Sequence, residues 1–386
     1  MDRPISVRVS FILVALAASW PATARAQSAP SRDASVVPFR WDSRGRHLAL
    51  DGPNLRAGAV AFGPDGSTLF VGYDDGSIRR HDAGSGWQAG RKVEPGSAAI
   101  HALAVSADGR GLAVAVPGPL NFVVSGDIVT LRRPDGAAVG ELSRMPGQVI
   151  ALAYAADGKT IGAIDHLSNV RVWRVEDRSE VLSSEILRAN GVRRVSAEVR
   201  ASFSADLKRA VIVNSADDVI YKDVPWNHLV GLWEAGVKES RIVGHRTGME
   251  ISSAIVSPDG SRFVTAQELH YVFFNDFVSG NSLNGYSPGS VRGDIRLTFL
   301  MLSPDNRRLV SATKRGAVYV NNLDDKLNGL RGFGGPNGYV RAAAFVPKGV
   351  RFASGGWDPL GAETIPGTDQ PKYEPVILWE VEVEEK

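Results

Sequence analysis

The chain contains no cysteine, which excludes disulfide bonds, thiolate zinc sites, cysteine nucleophiles and a lipidated N-terminal cysteine. It also lacks an excess of charge of either sign, since 44 lysine and arginine residues stand against 42 aspartate and glutamate residues, for a net charge of +2. A protein that coats nucleic acid usually carries a clear basic excess. We therefore expect no nucleic-acid partner, and a fold whose stability comes from packing alone.

Long apolar runs are also scarce. Residues 9–20, VSFILVALAASW, form a run of 12, too short for the ~20 residues that span a bilayer. Arg3 and Arg8 give a positive charge before this run, and Ala24-Arg25-Ala26 follows it. This order is typical of a secretory signal peptide. The sequence predicts a signal peptide at residues 1–26, cleaved after Ala26, and a periplasmic or secreted protein without a membrane span. Residues 27–38 have no periodicity and are predicted to be a flexible leader.

The rest of the chain repeats one short unit. A turn recurs at spacings of 43 to 53 residues, and its central position holds Asp65, Asp108, Asp157, Asp206, Asp259, Asp305 and Lys348. In Gly63-Pro64-Asp65-Gly66, proline suits the second position of a type I turn and glycine tolerates the left-handed position that follows. Short apolar runs flank each turn, and a third and a looser fourth strand follow, as in a propeller blade.

These features predict an all-β fold, a seven-bladed β-propeller over residues 39–386 with four antiparallel strands per blade. Only six residues follow Glu380, too few for a connection and a full fourth strand. We therefore expect residues 44–50 to complete the last blade and to close the ring.

The turn sequence Ser257-Pro258-Asp259-Gly260, the tryptophans of three third strands (Trp173, Trp233 and Trp379) and Gly244-His245 resemble the WD-repeat family of β-propellers. The resemblance covers roughly residues 40–384 and implies the propeller scaffold. Because that family is defined by its scaffold, the resemblance indicates the fold and says little about the function. A TolB-like or lactonase-like propeller, which also uses Pro-Asp-Gly hairpins, is the alternative.

The sequence departs from that family in its stabilising His–Ser/Thr–Asp–Trp network. No repeat ends in Trp-Asp. Blade seven has Ser354, Asp358 and Trp379 but no histidine before Tyr339, and blade five is expected to place Phe273 or Phe274 at the tryptophan position. Apolar packing between sheets is therefore expected to hold the blades together.

Motifs that look catalytic do not fit their chemistry. Gly285-Tyr286-Ser287-Pro288-Gly289 matches a nucleophile elbow, but Pro288 has no N–H for an oxyanion hole. Gly158-Lys159-Thr160 lies in a blade turn rather than before a helix. The seven histidines are never closer than 17 positions, so no short metal-ligand pair exists. We predict no catalytic residue, no metal and no cofactor.

Long insertions separate the second and third strands of blades two, four and seven, at about residues 117–126, 214–228 and 355–375. In WD-repeat propellers these loops share one face with the connections between blades. Aromatic residues and arginine, which are enriched at binding hot spots, occur in both sets of segments. The candidate partner-binding residues are Phe122, Arg193, Tyr221, Trp226, His228, Arg246, Arg292, Arg315, Trp357 and Tyr373.

Two functions follow from these observations. The first is a monomeric, non-catalytic scaffold of the exported compartment that binds a protein or peptide, with an acidic segment as the expected ligand. The alternative is a propeller enzyme, or a protein that binds a small ligand or metal, acting at the central channel.

Overall fold

We describe a computed structural model of the chain. It describes residues 13–14, 40–42, 45–50, 55–87, 91–95, 98–118, 126–187, 192, 199–221, 224–238, 240–244, 251–267, 271–286, 297–313, 317–323, 331–333, 339–347, 351–357 and 376–380. Strands dominate these ranges, and their one helix is the 3-10 turn Ala83–Ser85. No helix in these ranges is long and apolar enough to cross a membrane.

The strands form seven sheets, one per blade, each with an inner, a second, a third and an outer strand. The inner strands are Ala57–Phe62, Ala102–Val105, Val149–Tyr154, Val199–Phe203, Ile251–Val256, Leu297–Leu302 and Tyr339–Phe345. The second strands are Thr68–Tyr73, Leu112–Pro117, Thr160–Asp165, Arg209–Tyr221, Arg262–Gln267, Arg308–Thr313 and Arg351–Trp357.

The third and outer strands complete each meander. The third strands are Ser77–Asp82, Asp127–Arg132, Asn169–Arg174, Val224–Glu234, Tyr271–Asp276, Val318–Asn322 and Ile377–Glu380. The outer strands are Arg91–Pro95, Ala138–Glu141, Glu180–Glu185, Arg241–Gly244, Ser282–Tyr286, Arg331–Phe333 and Gly45–Ala49. Within every blade these four strands pair in antiparallel order, as the sequence predicts.

The inner strand of each blade contacts the inner strand of the next, and blade seven contacts blade one, so the ring is closed. Five buried apolar clusters together cross every blade boundary around the ring. In blade seven, for example, the rings of Phe352 and Trp379 stack with centroids 5.9 Å apart, and both belong to an apolar cluster that also includes Leu302 of blade six. Sheet-to-sheet apolar packing is thus a main source of cohesion, since both faces of each sheet are buried.

The chain closes its own ring with an N-terminal strand. Gly45–Ala49 pairs antiparallel with Ile377–Glu380, and Leu48 lies opposite Leu378. The predicted closure by residues 44–50 is therefore confirmed, and Arg40–Asp42 adds one further strand outside it. At the other edge of this sheet, Leu13–Val14 pairs in parallel with the inner strand of blade seven and also contacts the inner strands of blades one and three.

Serine and aspartate side chains fix the turns between inner and second strands. Ser106 Oγ donates to Asp108 Oδ1 at 2.5 Å and accepts from the backbone N–H of Gly111 at 2.7 Å. The hydroxyl of Ser106 lowers the pKa of Asp108, and the backbone N–H of Arg110 adds to the shift. The same serine recurs in blades four, five and six as Ser204, Ser257 and Ser303.

The left-handed residue of these turns is glycine in most blades, as with Gly66 at φ +72°. Leu207 at φ +56° and Asn306 at φ +59° take the position in blades four and six. These two turns therefore adopt the same shape without the residue that favours it.

In blade five, the third-strand position that holds tryptophan in other blades is occupied by Asn275 and not by a phenylalanine. Trp379 lies opposite Phe352 in blade seven, and the equivalent register in blade five places Asn275 opposite Phe263. The assignment of Phe273 or Phe274 to that position is therefore wrong by one or two residues. Asn275 Nδ2 donates to Thr265 Oγ1 at 3.5 Å and to the carbonyl of Phe273 at 3.2 Å, so an amide replaces the indole donor.

Candidate functional site

One face of the ring collects all the segments that carry the candidate residues. Because successive strands are antiparallel, the connections between second and third strands lie at the same end of the blades as the connections from one blade to the next. We call this end the loop face. The turns built around Asp65 and its equivalents lie at the opposite end.

The ten candidate residues divide into six outside the described part of the chain and four whose backbone alone is described. Phe122, Arg193, Arg246, Arg292, Arg315 and Tyr373 lie outside the described residues. For Tyr221, Trp226, His228 and Trp357 the structure describes the backbone but not the side chain. Of the ten candidates, Tyr221, Trp226, His228 and Trp357 belong to strands that end at the loop face.

Blade four departs from the expected loop at residues 214–228. Its second strand runs for 13 residues to Tyr221, and its third strand begins at Val224 and runs for 11 residues. Pairing continues from Ser215 opposite His228 to Tyr221 opposite Val224, with one register shift before Val219. The segment is therefore a β-hairpin rather than a loop, because backbone pairing continues past two aspartates and a proline.

This hairpin extends beyond the rest of its blade. The inner strand pairs with the second strand only as far as Asn214, and the outer strand pairs with the third strand only as far as Leu229. Residues 215–228 therefore form a two-stranded extension, which we call the blade-four arm. The second strand contributes seven residues to the arm and the third strand five, so at ~3.3 Å per residue the shorter strand reaches roughly 16 Å past the sheet.

The insertions of blades two and seven are shorter than expected at their start. Arg351–Trp357 is a strand, with Trp357 opposite Tyr339, so residues 355–357 belong to the sheet and not to the predicted loop. In blade two the second strand ends at Pro117, and the N–H of Gly118 donates to the carbonyl of Gly126 across the base of the loop.

A buried carboxylate fixes the loop face between blades two and three. Asp165 is fully buried at the end of its strand and accepts bonds from the N–H of Gly147 at 2.8 Å, from Leu167 N at 3.0 Å and from Asn169 N at 2.8 Å. Burial raises the pKa of Asp165, and the bonds from Asn169 and Gly147 oppose the shift. Because these N–H donors satisfy both of its oxygens, Asp165 is a structural residue of the loop face.

A second buried carboxylate joins the same two blades. Asp127 Oδ2 lies 2.8 Å from His101 Nδ1 and accepts the backbone N–H of Val149 at 2.9 Å. Val149 begins the inner strand of blade three, and Asp127 begins the third strand of blade two. The Asp127 carboxylate therefore links the two blades at the point where it also contacts His101.

The described residues include the first catalytic-looking motif, Gly158-Lys159-Thr160, and only the beginning of the second. Gly158 adopts φ +69° in a turn where Lys159 N donates to Asp157, which is a blade turn as predicted. Gly285 and Tyr286 belong to an outer strand, and Ser287 lies outside the described residues. Within the same residues no group of three histidine, aspartate or glutamate side chains could hold a metal ion.

Sequence reasoning missed a ring of residues at the loop-face end of the inner strands. In five inner strands the pairing with the second strand skips one residue, and these residues are Gly58, Ile150, Ser252, Thr298 and Arg341. In blade two the N–H of His101 donates to the carbonyl of Ala115, which also lies opposite Ala102, so His101 is the equivalent. Blade four has no skip and presents Arg200. Aligning the seven turns would reveal the position, which in six blades is seven residues before the turn residue.

Comparison with known proteins supports the fold. Residues 50–82 match the family model of the WD domain, G-beta repeat. The structure is similar to the crystal structure of RRP9 WD40 repeats, with a TM-score of 0.62 and 15% identity over 87% of this chain and 97% of that one. It is also similar to a chain of the Kuenenia stuttgartiensis hydrazine synthase, with a TM-score of 0.59 and 16% identity over 81% of this chain and 95% of that one. No curated protein sequence matches.

The resemblance to the WD-repeat propellers is thus confirmed in two ways: residues 50–82 match the model of one such repeat, and the strands form a seven-bladed propeller like that of the RRP9 WD40 repeats.

Proposed function

We propose that this protein is an exported, non-catalytic scaffold that binds a protein or peptide through its loop face, with the blade-four arm as the main contact. WD40 propellers are typically protein-interaction scaffolds. Loops on a rigid framework commonly carry the function of such a fold.

The arm is the observation that carries this proposal. An isolated two-stranded hairpin is at best marginally stable in water. The tip of the arm nevertheless pairs apolar residues, with Val219 opposite Trp226 and Ile220 opposite Pro225. Its strands also lack a third neighbour among the described strands, so both edges offer backbone groups for strand addition. A partner segment that covers the arm would bury the apolar pairs at its tip and bond the unpaired backbone groups along its edges.

Charge on the loop face sets the chemistry of the partner. In the sequence, Arg193, Arg246 and Arg292 lie between the outer strand of one blade and the inner strand of the next, and Arg315 lies between the second and third strands of blade six. Arginine captures carboxylates in a bidentate manner, and neighbouring aromatic residues exclude water from such contacts. The ligand is therefore an extended segment with acidic and apolar residues, and the scaffold binds it as a monomer.

Export is tested separately from binding. The positive start, the apolar run and Ala24-Arg25-Ala26 support cleavage before Gln27. N-terminal sequencing of the protein from the exported fraction is expected to begin at Gln27. A protein that keeps Met1 and stays in the cytoplasm would contradict this part of the proposal.

Binding is tested with an arm-shortened variant in which Asn-Gly replaces residues 216–227, between the paired residues Ser215 and His228. Crosslinking in the exported fraction is expected to capture a partner with the unaltered protein and to lose it with the variant. Both proteins are expected to melt at the same temperature, because the four-stranded part of blade four is unchanged. Equal capture by both would show that the arm does not bind the partner.

A further inference from the structure

The ring position directs its side chains along the wall of the channel toward the next blade. Ser252 Oγ donates to the carbonyl of Leu297, the first residue of the inner strand of blade six. A Cβ at Gly58 would overlap the carbonyl of Ile100, which holds the same place in blade two. Two blades therefore show the same direction at the equivalent residue.

Blades two and four follow the same rule with longer side chains. His101 extends to Asp127, which also holds the first residue of blade three's inner strand. Arg200 reaches past blade five, and its guanidinium donates to the carbonyl of Thr298 in blade six. Because inner strands surround the central channel of a propeller, the Arg200 guanidinium lies at the mouth of that channel.

A buried polar group lies beside this cation. Thr298 is only 7% exposed, and its hydroxyl Oγ1 has no hydrogen-bond partner among the described residues. A buried hydroxyl without a partner costs free energy unless a ligand or water supplies one. The Arg200 guanidinium thus lies beside a buried hydroxyl for which the described residues supply no partner.

The charge of the ring has one sign. Its seven residues include Arg200 and Arg341 but no carboxylate, and His101 lies against Asp127. Guanidinium groups match the geometry of carboxylate and phosphate oxygens, and such contacts strengthen where protein walls exclude water. We infer that the loop-face mouth of the central channel is a binding site for the oxyanion group, carboxylate or phosphate, of a small ligand. This site uses residues other than the blade-four arm and does not depend on the proposed protein partner.

Isothermal titration calorimetry on the chain produced from its full coding sequence tests the site, with inorganic phosphate and succinate as separate probes in low-chloride buffer. Saturable binding of at least one probe is expected, and the stronger of the two identifies the group. Arg200→Gln is expected to weaken that binding about tenfold or more, as the loss of a charge-assisted contact does. Arg200→Lys keeps the charge but loses the planar fork of the guanidinium. Its affinity for the probe is expected to lie between those of the unaltered protein and Arg200→Gln.

Arg110→Gln is the matched control, because Arg110 is an exposed arginine in a turn at the opposite end of blade two. It is expected to bind as the unaltered protein does. Arg341→Gln provides a second ring variant if Arg200→Gln does not fold, and circular dichroism checks each variant. The inference is overturned if neither probe binds at millimolar concentration, or if the ring variants that fold bind as tightly as Arg110→Gln.

Discussion

The indole nitrogen of Trp379 donates a hydrogen bond to Ser354 Oγ at 2.8 Å, and both residues are at most 1% exposed. Ser311 occupies the place of Ser354 in blade six, where Asn321 stands at the tryptophan position. The Ser311 hydroxyl is buried and has no partner within the described part of the chain. The buried serine at this position therefore accepts a hydrogen bond in blade seven, whereas its equivalent in blade six has no partner among the described residues.

This contrast predicts different costs for the same substitution. Ser354→Ala leaves the buried indole N–H of Trp379 without its acceptor and is expected to lower the free energy of unfolding by about 1–3 kcal/mol. Ser311→Ala removes a hydroxyl that has no partner and is expected to be neutral or slightly stabilising. Urea unfolding of both variants checks the prediction, and equal losses for the two would contradict it.

Because Gly45–Ala49 closes the ring, we expect N-terminal deletions to destabilise the protein only when they remove this strand. Removing residues 27–51 takes away Gly45–Ala49 and the buried Leu50, and it exposes the edge of Ile377–Glu380. An unpaired edge strand promotes aggregation, so this deletion is expected to lower the melting temperature and to produce oligomers in size-exclusion chromatography. Removing only residues 27–38 is expected to change neither. A deletion to residue 51 that stays monomeric and melts normally would rule out this role of the strand.

The repeat could be predicted from sequence because each blade needs its own turn, and residues such as Asp65 and Asp259 mark those turns in the chain. The blade-four arm could not, since Asp217, Asp218 and Pro225 interrupt any alternation of apolar and polar residues. In the structure, the pairing of the two strands shifts register between Ser215 and Val219 and then continues. Pairing along a hairpin is a backbone property, which side-chain patterns report only indirectly.

The ring and the tryptophan position were missed for a related reason. Both depend on register, and one skipped residue in an inner strand changes which side chain meets the channel. Asn275 occupies the tryptophan place in blade five although two phenylalanines lie beside it. An aromatic residue is the expected substitute for tryptophan by size, whereas the position in blade five holds a hydrogen-bond donor.

Two turn variants should change stability in opposite directions. Ser106→Ala removes the acceptor of Gly111 N and the donor to Asp108, and is expected to cost about 1 kcal/mol. Ala155 holds the same place in blade three, where Lys159 N already donates to Asp157. Ala155→Ser is expected to add the missing bonds and to stabilise the protein by up to about 1 kcal/mol. Stabilisation by Ser106→Ala, or loss of stability in Ala155→Ser, would contradict the role given to the hydroxyl.

The pH dependence of the Ser106 effect follows from the pKa of Asp108, which lies below its ordinary value of 3.8 in the folded protein. A lowered carboxyl pKa contributes stability that is present above the unfolded value and is lost as pH falls through the folded value. The difference between Ser106→Ala and the unaltered protein is therefore expected to shrink in acid below the unfolded pKa. NMR titration of Asp108 is expected to show a higher pKa in Ser106→Ala. An unchanged pKa would remove the electrostatic part of the explanation.

The arginines of the loop face are expected to act on association. Replacing Arg246 and Arg292 together with glutamine should slow association with the captured partner and reduce its dependence on salt, because charges at the rim of an interface steer encounter. Arg178→Gln, in a turn at the opposite end of blade three, is the control. Surface plasmon resonance at several salt concentrations measures the effect. Association rates that are equal in both variants at every salt concentration would mean that these two arginines do not steer the partner.

The central claim, that the blade-four arm binds a partner, is tested most directly by the dissociation rate of Trp226→Ala from the partner that the unaltered protein captures. Val278→Ala is the matched control, since Val278 is 62% exposed in a turn at the opposite end of blade five. We predict that Trp226→Ala dissociates faster, with a loss of more than ~1 kcal/mol in binding and no change in melting temperature. A Trp226→Ala variant that dissociates like Val278→Ala, or one that unfolds blade four, would contradict the proposal.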